Sequence, residues 1–182
     1  MRDMSRETVK AYVGLGSNLG DRAGMLRRAI EGLCALGEPG TLVVSSVYET
    51  APVDAPAGSP SFLNAVAGVT TKLDAPSLRD ALMRLERAAG RQTGDRNAPR
   101  ELDLDLLFFG DRVIETAELT VPHPRLHERR FVLEPLAELA CGLVHPGLRR
   151  TVGDLRDNAR TRFPGQVVTR VEVSLDLTLL RG

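Results

Sequence analysis

The chain has 182 residues, 42% of them apolar, and balances 24 acidic against 24 basic side chains for a formal charge of zero. That length fits one domain with a buried core; the composition excludes a disordered chain, and the charge balance excludes a general nucleic-acid binder, which would carry a net basic face. No apolar run reaches the roughly eighteen residues a bilayer span needs, and the start of the chain lacks the apolar stretch of a signal peptide. Cys34 and Cys141 are too few for a disulfide framework, so the expected setting is a reducing cytoplasm, with no membrane and no nucleic acid as partner.

Val9 to Leu15 reads as a first strand, ended by a turn at Gly16-Ser17-Asn18. A helix follows, with Leu26, Ala29, Ile30, Leu33 and Cys34 on one face and Gly37, Pro39 and Gly40 as its stop. Leu42 to Tyr48 is a second strand, Ala51 to Pro60 a stiff loop, and Phe62 to Thr71 a third strand. Asp74 caps a second helix with Pro76 in its first turn; Leu78, Ala81, Leu82, Leu85, Ala88 and Ala89 form its buried face and Gly90 ends it. A polar loop, Arg91 to Arg100, leads into the most apolar strand, Glu101 to Phe109. The loop's small and polar residues offer no apolar anchor, so it is expected to be mobile without substrate.

The order β-α-β-β-α-β predicts an α+β fold with a ferredoxin-like core. Beyond Gly110 the pattern predicts a short β excursion around Val113 and Leu119 to Val121, then helical pieces over Phe131–Leu139 and Val152–Arg160. From Gln166 to Leu180 apolar and polar residues alternate, which predicts a C-terminal β extension. Its apolar face must be covered, by its own domain (the short strand near Val113 or Leu119 being one site for it) or by a second subunit. Either a monomer or a homodimer satisfies that requirement.

Alternation along the Glu101–Phe109 strand sends Leu102, Leu104 and Leu106 to the core and puts Asp103 and Asp105 together on the other face. Such carboxylates stand about 7 Å apart and can converge on hard cations above the strand. An isolated Asp-x-Asp is more often a solvated strand face. Aspartate is disfavoured in strands, however, and two in the middle of an apolar one point to a divalent metal such as Mg²⁺. Arg91, Arg96 and Arg100 flank the preceding loop and could surround a polyphosphate or be simply solvated. His123 sits between Pro122 and Pro124, with Arg125, Arg129 and Arg130 close behind. Gly14-Leu15-Gly16-Ser17-Asn18-Leu19-Gly20 matches neither a dinucleotide fingerprint nor a P-loop, and reads either as a plain strand-to-helix turn or as one that delivers Asn18 to a pocket. Three histidines and two distant cysteines do not suit a zinc enzyme, and no serine-hydrolase elbow is present.

Taken in order, the segments Gly14 to Leu19, Ser45 to Thr50, Phe62 to Ala65, Glu86 with Gly90-Arg91, Ala98 to Asp105, Leu119 to His123 and Arg129 to Leu136 closely resemble the 6-hydroxymethyl-7,8-dihydropterin pyrophosphokinase family of folate synthesis. The resemblance runs from about Ala11 to about Asp157 and is most specific at Pro99-Arg100-Glu101-Leu102-Asp103-Leu104-Asp105. It implies a single domain (core about 9–160, extension about 166–180) that transfers pyrophosphate from ATP to the pterin hydroxymethyl, releasing AMP. Asp103 and Asp105 would hold two Mg²⁺ ions, with Arg91 and Arg100 around the phosphates. Thr120, His123 and Arg129 match ATP-side positions, and Leu106 offers main-chain contacts near the base. Asn64 would read the pterin amide edge, with Thr50, Val53 and Phe62 beside it and Phe131 stacked on the ring. The chain departs from the family where Phe62 replaces a frequent tyrosine and Asn97-Ala98 a frequent Trp-Gly. Thr93 and Glu118 replace frequent arginines, and Pro124 a frequent aromatic. Two rival readings are a non-catalytic ferredoxin-like binding module and another Mg²⁺-dependent nucleotide-transfer enzyme. Scarce aromatics and neutral charge weigh against the first, and the Asn64 and Thr50 motifs against the second.

Overall fold

The computed structural model describes residues 7–51, 58, 60–90 and 101–175. Strand β1 (Val9–Ser17) and helix α1 (Arg22–Leu36) are followed by β2 (Val43–Val44), β3 (Val47–Thr50), β4 (Phe62–Thr71), α2 (Ala75–Ala88) and β5 (Asp103–Phe109). Then come a β6 (Ile114–Glu115) and β7 (Thr120–Val121) hairpin, a 3-10 turn at Leu126–Glu128 and α3 (Arg130–Ala140). A second small hairpin, β8 (Val144–His145) with β9 (Arg150–Thr151), precedes α4 (Val152–Arg162) and β10 (Val168–Val171). Among the described residues this is an antiparallel sheet with four α-helices, ordered β10-β3-β4-β1-β5 with β2 also on β4.

Local chemistry sets the helix starts. Asp21 accepts the Gly24 N–H and Asp74 the Ser77 N–H, both at 2.9 Å, while Thr151 and Asp154 satisfy each other's main-chain N–H groups at the start of α4. One face of the sheet, carrying Ala11, Val13, Leu15, Leu104 and Leu106, packs on α1 through Leu26, Ile30 and Leu33 and on α2 through Leu78 and Leu82. The other face carries Val66, Leu107 and Phe108 against Leu133 and Leu136 of α3 and Leu155 of α4. Burying each such leucine contributes about 1.5–3 kcal/mol, so both layers hold the sheet rigid beneath whatever its uncovered part carries.

Several expectations are corrected. The first strand does not end at Leu15; it continues to Ser17, because β4 and β5 pair with it as far as Gly16 on both sides. The second strand breaks at Ser45-Ser46, where the Ser45 side chain meets the Val66 N–H at 2.9 Å in place of regular pairing, and resumes to Thr50. In β5 the alternation stops after Leu106: the register with β1 shifts between Tyr12 and Val13, so Leu107, Phe108 and Phe109 are all buried. The C-terminal strand pairs with β3, Val168 opposite Thr50 and Val171 opposite Val47, and not with the β6–β7 hairpin. Regular pairing spans Val168–Val171, and Val171, Val173 and Leu175 pack on the core. Val167, expected on the covered face, is 61% exposed.

Candidate active site

The site is built on the face of the sheet that α3 and α4 cover only in part. Gly16 of β1 lies opposite Asn64 of β4 on one side and Asp103 of β5 on the other; Gly14, one step along the same face, lies opposite Val66 and Asp105. The glycines are not the turn that the sequence suggested. They are the floor between neighbouring side chains, and a Cβ added at Gly16 would stand 3.2 Å from Asn64 Oδ1, 3.8 Å from the Phe62 ring and 4.0 Å from Asp103 Cβ. Asn64, Phe62 and Asp103 therefore converge on one spot because the central strand carries no side chain there. The spacing Gly-x-Gly opposite Asp-x-Asp was the signal that could have located this floor.

Asn64 and Thr50 are buried, and the Asn64 amide donates to Thr50 Oγ1 at 2.7 Å. That bond ties the β4 and β3 sides of the floor and leaves Asn64 Oδ1 directed towards Gly16. On the reverse face of these strands Arg22 joins Glu49 and the Ser61 carbonyl, each at 2.9 Å, and holds the Glu49 carboxyl below its usual range. Sequence reasoning did not single out this brace, since its parts are 27 and 39 residues apart.

Asp103 and Asp105 are half-buried on the shared face, as their alternation with Leu102, Leu104 and Leu106 predicts. Arg129 Nη1 lies 3.5 Å and His123 Nε2 3.9 Å from Asp105 Oδ2. Burial, then the Arg129 charge, lowers the His123 pKa to about 4, with Asp103 acting in the opposite sense. The ring is neutral at pH 7. Its Nδ1 accepts the Arg125 N–H at 3.2 Å, and its Nε2 lies 3.4 Å from Arg129 Nη1 and 3.9 Å from Asp105 Oδ2. A main-chain bond from His123 N–H to the Leu107 carbonyl, 3.0 Å, anchors this segment to β5. Phe131, in the first turn of α3, has the Arg129 guanidinium 5.7 Å from its ring centroid.

The structure thus places Asp103, Asp105, His123, Arg129 and Phe131 in one chain of neighbours, and Asp103, Phe62, Asn64 and Thr50 in another. Thr120 is exposed in β7, whose hairpin packs beside β5. Leu106 turns its side chain into the α1–α2 layer. Arg91, Arg100 and Val53, with the loop expected to be mobile and its departures Thr93, Asn97 and Ala98, lie outside the described residues. Behind β5 the buried Glu86 accepts the Leu104 N–H at 2.8 Å, so α2 fixes the main chain between the two aspartates.

Among the described residues no group of three or more His, Cys, Asp or Glu side chains forms an all-protein metal cage. Mg²⁺ does not require one: it binds through one or two carboxylates and completes its shell with water and substrate phosphate. Two partly exposed aspartates beside a neutral histidine and an arginine fit that coordination. The α/β scaffold presents two carboxylates, an arginine and an aromatic ring beside a buried amide, the donor set expected of a metal-assisted enzyme acting on a phosphorylated substrate.

Comparison with known proteins makes the class specific. A family described as 7,8-dihydro-6-hydroxymethylpterin-pyrophosphokinase (HPPK) matches residues 12–141, and the chain belongs to this family. It is 38% identical over 138 residues to the "2-amino-4-hydroxy-6-hydroxymethyldihydropteridine pyrophosphokinase" of Haemophilus influenzae, covering 76% of this chain and 86% of that one. The Bacillus subtilis protein of the same name is 43% identical over 129 residues, covering 71% and 77%. The crystal structure of Plasmodium falciparum HPPK-DHPS with pteroate has the same fold, with a TM-score of 0.70 at 17% identity; it aligns with 92% of this chain, which spans 46% of that longer one.

Proposed function

We propose that this chain transfers the pyrophosphoryl group of ATP to the hydroxymethyl group of 6-hydroxymethyl-7,8-dihydropterin, releasing AMP, as a step of folate synthesis. Family membership gives the reaction. The observation that supports its location is the convergence of Asn64 and Asp103 over Gly16, which sets a buried amide beside a carboxylate pair.

Asn64, held by Thr50, reads the amide edge of the pterin through its free oxygen, a contact that costs dearly if left unpaired. Phe131 and Phe62 supply aromatic surface for the ring, and Val53 adds a contact. Bound in this way, the hydroxymethyl oxygen is presented towards Asp103. Asp103 and Asp105 are the residues that would hold Mg²⁺, read here as two ions, which would supply charge neutralisation on the polyphosphate and polarisation of its oxygens. Arg91 and Arg100 contribute donors to the phosphates, whose transfer depends on positioning and electrostatics more than on covalent chemistry. Arg129 turns its guanidinium towards the same space beside Asp105. Neutral His123 stands beside Asp105 without adding a charge, while Thr120 and the main chain of Leu106 serve the nucleotide side.

The strand order β3-β4-β1-β5, with α1 and α2 as the two crossovers, supports a ferredoxin-like core. The whole chain is read as one domain, acting as a monomer or homodimer in the cytoplasm; no helix among the described residues is long and apolar enough to cross a membrane. Measuring AMP release from ATP with and without the hydroxymethyl pterin tests the activity. Release that ignores the pterin, or ADP in place of AMP, contradicts it.

A further inference from the structure

Helix α3 begins at Arg130, and the residue at its cap position, Arg129, makes no capping hydrogen bond with its own side chain. Its guanidinium is directed to Asp105 and across the Phe131 ring. A helix start leaves main-chain N–H groups unsatisfied, and here the partner comes from far along the chain. Gln166 Oε1 accepts the Arg130 N–H at 2.9 Å, and Gln166 Nε2 donates to the Glu128 carbonyl at 2.9 Å. One side-chain amide therefore grips the main chain on both sides of Arg129.

Gln166 lies outside the 12–141 span that the family shares. Its own position is fixed from two directions. The Gln166 N–H donates to the Phe163 carbonyl at 3.1 Å at the end of α4, and β10 follows directly, pairing Val168 with Thr50. The segment thus connects the start of α3, with Arg129 and Phe131, to the strand that carries Thr50 and, through it, Asn64.

We propose that Gln166 is a positioning residue for both substrates: by holding the Glu128 and Arg130 main chain it sets the direction in which the Arg129 guanidinium and the Phe131 ring leave the backbone. The C-terminal extension is then part of the frame of the site and not only a cover for apolar surface. This rests on the activity proposed above. Misplacing a substrate-orienting group by about 1 Å can cost as much as a hundredfold in rate, which is the scale on which such a grip acts.

The test uses the full chain and compares Gln166→Ala, Gln166→Glu and, as a neighbouring control, Val167→Ala, whose side chain is 61% exposed. Thermal midpoints are measured first. Then kcat and KM for ATP and for the pterin are determined well below the lowest midpoint, where every variant is folded. Gln166→Ala is expected to lower kcat/KM for both substrates by about tenfold or more. Gln166→Glu keeps an acceptor for the Arg130 N–H, at a helix end that favours negative charge, but loses the donation to the Glu128 carbonyl, so it should recover part of the loss. Val167→Ala should match the wild type. Wild-type kinetics in folded Gln166→Ala, whatever its midpoint, would overturn the positioning role alone, as would a Gln166→Glu variant no better than alanine. Absence of wild-type turnover would overturn the activity and the positioning role together.

Discussion

Asn64 and Asp103 belong to strands that never touch each other, yet both reach the same point above Gly16 of the strand between them. Substitution at that glycine tests the relationship. In Gly16→Ala the added Cβ would stand 3.2 Å from Asn64 Oδ1, so the amide must shift and strain its 2.7 Å bond to Thr50. The expected result is a rise in pterin KM of about tenfold, the scale of one polar contact, with a smaller effect on ATP. Equal changes for both substrates would show that Gly16 is not the pterin floor.

Asn64→Ala should weaken pterin binding far more than ATP binding. Leaving a buried ring amide unpaired costs about 1–3 kcal/mol, or roughly ten- to a hundredfold in affinity. Calorimetry with each ligand separately reads this directly, and equal losses would make Asn64 a structural residue.

Acid should destabilise the fold through His123. The unfolded chain takes up a proton on this imidazole near pH 6.5 and the folded chain near 4, so protons favour unfolding across that window and the effect vanishes above it. Thermal midpoints followed from pH 7 to 4 should fall less steeply in His123→Gln than in the wild type. Parallel curves would mean that the ring is not held neutral.

Glu134 of α3 is buried and accepts two bonds from Arg160 of α4, at 2.8 and 2.6 Å. Removing one partner of a fully buried ion pair costs about 3–5 kcal/mol. Arg160 is 50% exposed and can rehydrate, whereas Arg130, 3.5 Å from the same carboxylate, is 17% exposed. Glu134→Ala should therefore cost at least about 1 kcal/mol, the lower end for an unmade buried hydrogen bond. Denaturant titration with unchanged slope measures it, and a loss under half a kcal/mol (the ordinary surface range) would contradict the account.

What was legible in the sequence follows from where information is local. The Asp74 cap, the Leu78–Leu82 face and the alternation of Leu102, Asp103, Leu104 and Asp105 depend on near neighbours, and these elements form as read. The extra reach of β1 was hidden because Gly16-Ser17-Asn18 carries turn chemistry, and pairing on both sides overrides it. The burial of Leu107 and Phe108 depends on a bulge and on α3 and α4, and that of Phe109 on the α1–α2 layer, none of which leaves a mark in the strand itself. The partner of β10 was likewise undetermined, since alternation reveals that a face must be covered but not by what. At the site, Asp103, Asp105 and Asn64 were visible as motifs, whereas Gly16 as floor and Gln166 as a distant cap depend on contacts between remote segments.

The central claim is that Asp103 and Asp105 support Mg²⁺-dependent pyrophosphoryl transfer to the pterin. The measurement is the formation of AMP and pterin diphosphate from ATP and 6-hydroxymethyl-7,8-dihydropterin by the full chain, with Mg²⁺ and with chelator, alongside Asp103→Ala/Asp105→Ala. The wild type should form the two products in equal amounts, only with Mg²⁺ and only with the pterin present. The double variant should keep the circular dichroism of the wild type, since both side chains lie off the core, and form neither product. Near-normal Mg²⁺-dependent turnover by the double variant would contradict the account.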